Sequence, residues 1–209
     1  MKKIVSWTQT YGDKRLLNIH LLKFDVLGIH IRMKCDHVIF SFHNCPESVY
    51  RDSIKILNDI FPSIKLIILR FDDCSYLSCF RNILQLIRDL KCTDILQIQD
   101  DQHGINSNEN IHNLHHIDDV VEEYKKRKDI SHIHLFSDES IPKPNLQPIE
   151  SITMNTTLEI YKYNSMDFKH YNIYAWNDGV YIINVSLLDE LLHQCPNSDV
   201  WKIELFLKQ

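Results

Sequence analysis

Glycine is scarce in this chain, with four in 209 residues. No G-x-G-x-x-G and no G-x-x-x-x-G-K-S/T stretch occurs, which argues against a Rossmann dinucleotide fingerprint and a P-loop. Any phosphate must be met by other groups. Excess positive charge is also missing: 23 Lys and Arg face 28 Asp and Glu, for a formal net charge of -5 and a pI near 6.2. Without a basic field the chain is not expected to hold the phosphates of a long nucleic acid. No apolar run approaches the ~20 residues that span a bilayer. The start, Met1-Lys2-Lys3-Ile4-Val5-Ser6-Trp7, turns polar at Thr8-Gln9-Thr10, too soon for a signal peptide, so a cytoplasmic location is expected. The six cysteines (Cys35, Cys45, Cys74, Cys79, Cys92, Cys195) include no C-x-x-C pair. A chain of this size needs no staples, so reduced thiols filling core space are expected.

What is present points to one folded domain. Hydrophobic residues make up 44% and charged residues 24%, enough apolar surface for a single sizeable core. The first half repeats a unit of short apolar run, polar turn and longer segment with helical spacing, the pattern of a parallel sheet. Strands are expected over Lys3 to Trp7, His37 to Phe42, Lys65 to Arg70 and Asp94 to Ile98, apolar almost throughout because helices cover both faces. Asp13 can cap a helix through Leu16, Leu17, Ile19, Leu21 and Leu22. Pro46-Glu47 suits a first helical turn, with Pro62 ending that element, and a third helix runs from about Tyr76 to Leu90. After Gly104 the segments are polar, then a helix holds Val120, Val121 and Tyr124. Strands return over Ile130 to Phe136, Thr157 to Tyr163, Tyr171 to Trp176 and Val180 to Asn184, so the second half reads as mixed or antiparallel. Asn177-Asp178-Gly179 signals a hairpin or bulge, Ser186 with Asp189 an acidic capping box, and Asn197-Ser198-Asp199 the start of a final helix.

Right-handed crossovers collect the polar strand ends along one sheet edge, where a ligand crevice is expected. The fourth strand runs into Gln99-Asp100-Asp101-Gln102-His103-Gly104, so two adjacent carboxylates stand where the sheet meets solvent. Hard oxygens there suit Mg²⁺ or Mn²⁺ bridging to a diphosphate; an acidic loop with no ion is the plain alternative. Upstream, Ser78-Cys79-Phe80-Arg81-Asn82-Ile83-Leu84 lies on the preceding helix. Arg81-Asn82, the apolar strand and Gln99-Asp100-Asp101 follow one another in the order of the GT-A glycosyltransferases. The chain resembles that group, particularly family 2, whose pattern is a helical Arg-Asn pair, an apolar strand and an Asp-x-Asp signature. Short single-domain enzymes of this type resemble those encoded by large DNA viruses.

The resemblance implies a single GT-A-like α/β domain over 1–209. Its mostly parallel, Rossmann-type sheet would be flanked by helices, with a nucleotide-binding half at 1–104 and a mixed or antiparallel acceptor-binding half at 105–209. The implied activity moves a sugar from a nucleoside diphosphate donor, UDP first, to an acceptor hydroxyl on a glycan or other molecule, with inversion. It implies that Asp101, with Asp100, holds Mn²⁺ or Mg²⁺, that Gln99 or Asp100 faces the ribose, and that Arg81 positions the acidic turn or the diphosphate. Thr8, Gln9, Thr10 and Tyr11 would begin to hold the nucleotide, with Tyr11 able to stack on the base; His43, Asn44 and Asp72 would hydrogen-bond it. Asp199 is the candidate base, Ser198 standing where a Glu is usual, and Asp178 is the reserve. Gln99 departs from the pattern, because the first acid of Asp-x-Asp falls on it. The alternatives are a nucleotidylyltransferase, which normally has a glycine-rich loop where Thr8-Gln9-Thr10-Tyr11-Gly12 offers one glycine, and an inactive sugar- or protein-binding module. His112, His115 and His116 before Asp118-Asp119 would suit zinc if helical. Lys125-Lys126-Arg127-Lys128 follows Glu122-Glu123 and reads as a solvated helix face.

Overall fold

The N-terminal apolar run forms β1, Ile4–Tyr11, and does not stop at Trp7. Thr8 to Tyr11 stay in the strand because β2 (His37–His43) pairs with them as far as Tyr11↔His43, while β4 (Asp94–Gln99) covers the other side as far as Gln9↔Gln99. Once a flanking strand satisfies the backbone, polar side chains do not end a strand. The computed structural model describes residues 1–12, 15–100, 114–135, 150–153, 157–160 and 180–194. The expected strand at Tyr171 to Trp176, the hairpin at Asn177-Asp178-Gly179 and the helix after Asn197 lie outside them.

The sheet has six strands in the order β3-β2-β1-β4-β8-β5, where β3 is Leu66–Phe71, β5 His132–His134 and β8 Tyr181–Asn184. The first four are parallel, β8 runs antiparallel to β4, and β5 antiparallel to β8. This is the expected α/β architecture, a mostly parallel Rossmann-like sheet with a mixed C-terminal part. A separate two-stranded antiparallel ladder joins β6 (Glu150–Thr153) to β7 (Thr157–Ile160).

Side-chain alternation divides the core between two faces. Helices α1 (Leu16–Leu21) and α3 (Glu47–Ile60) place Ile19, Ile56 and Leu57 against Val38, Phe40 and Phe42. Helices α2 (Val26–Met33) and α5 (Leu114–Lys126) add Leu27, Ile31, Ile117 and Val121 against Ile4, Leu96 and Ile98. On the opposite face α4 (Tyr76–Asp89) and α6 (Val185–Gln194) pack Phe80, Ile83, Ile87 and Leu188 on Val5, Trp7 and Ile95. The β3-to-β4 crossover thus passes on the other side of the sheet from the two before it, as right-handedness demands when the chain jumps across β1.

Three local readings change. The first helical segment is two helices with the 3₁₀ turn Leu22–Phe24 between them, because Asp25 caps α2 by accepting the Gly28 N–H at 2.9 Å; Asp13 lies outside the described residues. Helix α6 is capped by Asn184, whose Oδ1 accepts the N–H groups of Ser186 and Leu187 at 3.0 and 3.3 Å. The cap therefore sits two residues before Ser186, and Asp189 instead meets Arg88 and His193. Cys74 and Cys79 are joined by a disulfide, not reduced, because the turn out of β3 folds back onto the first turn of α4. Cys35, Cys45 and Cys92 are thiols outside any disulfide among the described residues. Among the described residues no helix is long and apolar enough to cross a membrane.

Candidate functional site

The strand order puts the topological switch between β1 and β4. From β1 the chain steps outward to β2 and β3, then crosses to β4 on β1's other side. The crossovers flanking this point lie on opposite faces of the sheet, so they diverge at the carboxyl ends of the two strands and open a crevice. Gln9 and Gln99, register partners, face each other there, both partly buried. Thr10 and Asp100 each follow directly on that last register pair, and both are buried, at 1% and 6% exposure.

Asp100 carries a counter-ion that sequence reasoning did not find. The Arg15 Nε lies 3.5 Å from Asp100 Oδ2. Arg15 reaches it from the turn after β1, whose Gly12 takes φ +78° and donates its N–H to the His43 carbonyl at 3.0 Å. Among the described residues nothing lies within 4 Å of where a Gly12 side chain would begin, so they leave this bend open to approach. The only signal in the sequence was a basic residue shortly after the glycine that follows the first strand.

The Thr10 hydroxyl is buried and has no hydrogen-bond partner among the described residues. An orphaned hydroxyl beside a buried carboxylate is a hard-oxygen donor set. It fits a cation such as Mg²⁺, which keeps most of its waters and is held by one or two carboxylates plus substrate phosphates. Asp101, the expected main ligand, lies outside the described residues, as do both candidate bases, Asp199 and Asp178.

Beneath Thr8 a second polar group is fully enclosed. The Arg32 guanidinium, with no exposure, donates to Thr8 Oγ1 at 3.4 Å and to Asp25 Oδ2 at 3.2 Å, and lies 5.9 Å over the Phe40 ring. Burial pulls Arg32 down from its ordinary pKa, and Asp25 pulls it back up. The expected nucleotide contact Thr8 is therefore occupied from within the fold, and its role is to receive this buried cation.

The remaining expected contacts scatter along the strand edge. Tyr11 is 57% exposed and its hydroxyl accepts from Asn44 Nδ2 at 3.3 Å. Asn44 takes φ +47° and its Oδ1 accepts the Asp73 N–H at 3.0 Å, so it ties the ends of β1, β2 and β3 together. Asp72 is exposed and pairs with Arg70, which also meets Glu47. Arg81 is exposed on α4. His43 is buried two strands from the switch point, and burial lowers its pKa to about 4, which keeps it neutral. Of the residues weighed for zinc, Asp118 accepts from His30 at 2.8 Å and lies 3.5 Å from Lys34, an α2–α5 contact. Lys125 and Lys126 lie 3.7 and 4.0 Å from Glu122 and Glu123, the pairing of a solvated face.

No protein-family description matches the chain, and no curated protein matches it. Several solved structures are similar at low identity. A cytidylyltransferase from Leptospira borgpetersenii aligns over 95% of this chain and 67% of its own, with 11% identity and a TM-score of 0.49. A 4-diphosphocytidyl-2C-methyl-D-erythritol synthase from Anaerococcus prevotii aligns over 100% and 83%, with 12% identity and a TM-score of 0.46. A UDP-glucose phosphorylase from Trypanosoma brucei aligns over 92% and 50%, with 12% identity and a TM-score of 0.39.

Proposed function

We propose that the chain is a metal-assisted, nucleotide-dependent transferase, with the nucleotide laid across the crevice between β1 and β4, and that it works by nucleotidyl transfer. The observation that carries the reading is the Arg15–Asp100 pair at the switch point beside the unpartnered Thr10 hydroxyl. Asp100 and Thr10, with Asp101, are the groups that would hold Mg²⁺ or Mn²⁺. The ion would neutralise charge on the phosphate chain. The planar guanidinium of Arg15 can leave one Asp100 oxygen to meet phosphate oxygens. Gln9 and Gln99 offer amides to base and ribose, and exposed Tyr11 offers a ring face.

Neither Arg15 nor Asp100 is suited to deprotonating a hydroxyl, since a guanidinium offers only donors and the carboxylate is ion-paired to it. A phosphate acceptor needs no such base, because it is already an anion. It attacks the α-phosphorus of a nucleoside triphosphate and expels pyrophosphate, with Arg15 placed for the charge that builds on phosphate oxygens. The second reading is glycosyl transfer from a nucleoside diphosphate sugar, UDP first. It is favoured by the Arg81-Asn82, strand and Gln99-Asp100-Asp101 order and would take Asp199 or Asp178 as base.

One assay separates the two. The chain is incubated with Mg²⁺ or Mn²⁺ and either nucleoside triphosphates plus sugar 1-phosphates or nucleotide sugars plus hydroxyl acceptors. Metal-dependent pyrophosphate release in the first arm supports nucleotidyl transfer, with a loss on the order of 10²-fold in Arg15→Ala and no turnover in Asp100→Asn. Nucleoside diphosphate release confined to the second arm would replace it with the glycosyl reading. Silence in both arms, together with no nucleotide binding, overturns the transferase.

A further inference from the structure

At the outer half of the same strand edge, the fold gathers three soft donors that the transferase reading does not use. His43 ends β2, Cys74 lies in the turn after β3, and Cys79 is in the first turn of α4. One ligand atom from each lies within 4.8 Å of the others. Cys79 and His43 are buried and Cys74 is half-buried.

The imidazole is aimed from behind. The Trp7 Nε1–H donates to Ser41 Oγ at 2.8 Å, and Ser41 Oγ lies 3.1 Å from His43 Nε2. A hydroxyl oxygen has two lone pairs, so it can take both ring N–H groups. That leaves a lone pair on His43 Nδ1, the arrangement in which metal-binding histidines are held by an outer partner. The thiols are placed by contacts other than their own bond. Asn44 Oδ1 accepts the N–H of Asp73, which precedes Cys74, at 3.0 Å. Ser75 caps α4 by accepting from Ser78 N at 3.2 Å, and its carbonyl accepts from Cys79 N at 3.0 Å. Opening the disulfide therefore leaves both sulfurs near the imidazole. Tetrahedral zinc, with bonds of about 2.3 Å to sulfur and 2.0 Å to nitrogen, spaces its ligand atoms roughly 3.5–3.8 Å apart, which the three groups reach within their 4.8 Å span once the opened sulfurs move apart. Two thiolates and an imidazole suit zinc and other soft cations, not the Mg²⁺ of an oxygen site.

We propose that, in the dithiol form, Cys74, Cys79 and His43 bind one thiophilic divalent cation, zinc being the natural candidate, with the fourth position open to water, and that disulfide formation expels it. A small dithiol reductant opens the bond: its two hydrogens pass to Cys74 and Cys79, and its own sulfurs join. The entering cation displaces the two thiol protons to solvent. In reverse, a small-molecule disulfide takes two electrons from the thiolates and two protons from solvent, is reduced to its two thiols, and the cation leaves.

Cobalt(II) tests this on the full chain, because sulfur-to-cobalt charge-transfer absorption is silent at oxygen sites. We expect the band to saturate at one equivalent in dithiol-treated protein, to be displaced by zinc, and to be absent from the oxidised protein. Cys74→Ser should lose most of the absorption, and Ser41→Ala should keep it while weakening affinity about 10- to 100-fold. The proposal fails if the reduced wild type shows no sulfur band, or if Cys74→Ser retains the full band. The redox comparison needs no variant, so a misfolded mutant does not protect it.

Discussion

At residue 28 a side chain has no room. A Cβ on Gly28 would lie 2.0 Å from Asp25 Oδ2 and 2.7 Å from Arg32 Nη1, inside the buried pair that also caps α2. The neighbour that must give way is a carboxylate making both the cap and the ion pair, so Gly28→Ala should lose more than about 2 kcal/mol, from a lost cap and a disturbed buried pair. Denaturant unfolding measures it, and a loss below 0.5 kcal/mol, the scale of an ordinary surface change, would contradict the geometry. His43 makes a second residue-scale prediction. Its folded pKa is about 4, below the ordinary 6.5. Above pH 6.5 both folded and unfolded chains hold it neutral. As pH falls from 6.5 to 4 the unfolded chain takes up the proton and the folded one does not, so stability falls across that window and this contribution levels off below it. In metal-free buffer His43→Gln should flatten the wild-type slope between pH 4 and 6.5; parallel curves would show that burial does not hold the imidazole neutral.

Caps and pairings decide element boundaries here more than propensity does. Asn184 ends β8 and caps α6 with one side chain, since its Oδ1 accepts two helix N–H groups while its Nδ2 donates to the Thr93 carbonyl at 3.2 Å. Asn184→Ala should therefore cost about 1 kcal/mol or more, and Ser186→Ala close to nothing, which thermal melts of the two variants would distinguish. Equal losses would return the cap to Ser186. The α5 hydroxyl of Tyr124 similarly anchors the start of β4, donating to buried Asp94 at 2.7 Å while Lys2 sits 3.4 Å over its ring. That polar cluster lies at the opposite end of the strands from the crevice and holds the sheet's far edge.

For the molecule as a whole, the ordering β3-β2-β1-β4 matters because it fixes where a ligand can enter. A nucleotide bound at the switch point, as proposed, would stabilise the folded chain by mass action, about 2.7 kcal/mol at a hundredfold excess over Kd, or roughly 5–10 °C for a chain of this size. Thermal shifts with CTP or UTP plus Mg²⁺ should show such a rise in the wild type and lose it in Arg15→Ala. The unliganded midpoint of that variant should fall, because the buried Asp100 carboxylate loses the Arg15 guanidinium, so the rise is read from each protein's own unliganded midpoint. A rise that survives Arg15→Ala would place the nucleotide elsewhere.

The alternating β/α pattern, helices α3 and α4, and a polar strand edge with Asp100 on it are legible from residues alone, because apolar periodicity and Pro46 act within a few positions of chain. The strand exit expected at Thr8 is not, since β4 pairs with β1 as far as Gln9 and β2 carries it on to Tyr11. Arg15 beside Asp100, Arg32 beneath Thr8, and Cys74 and Cys79 around His43 are likewise products of strand order and register. Those contacts join residues far apart or on different elements, and no local preference specifies them; tertiary packing alone brings the groups within reach of one another.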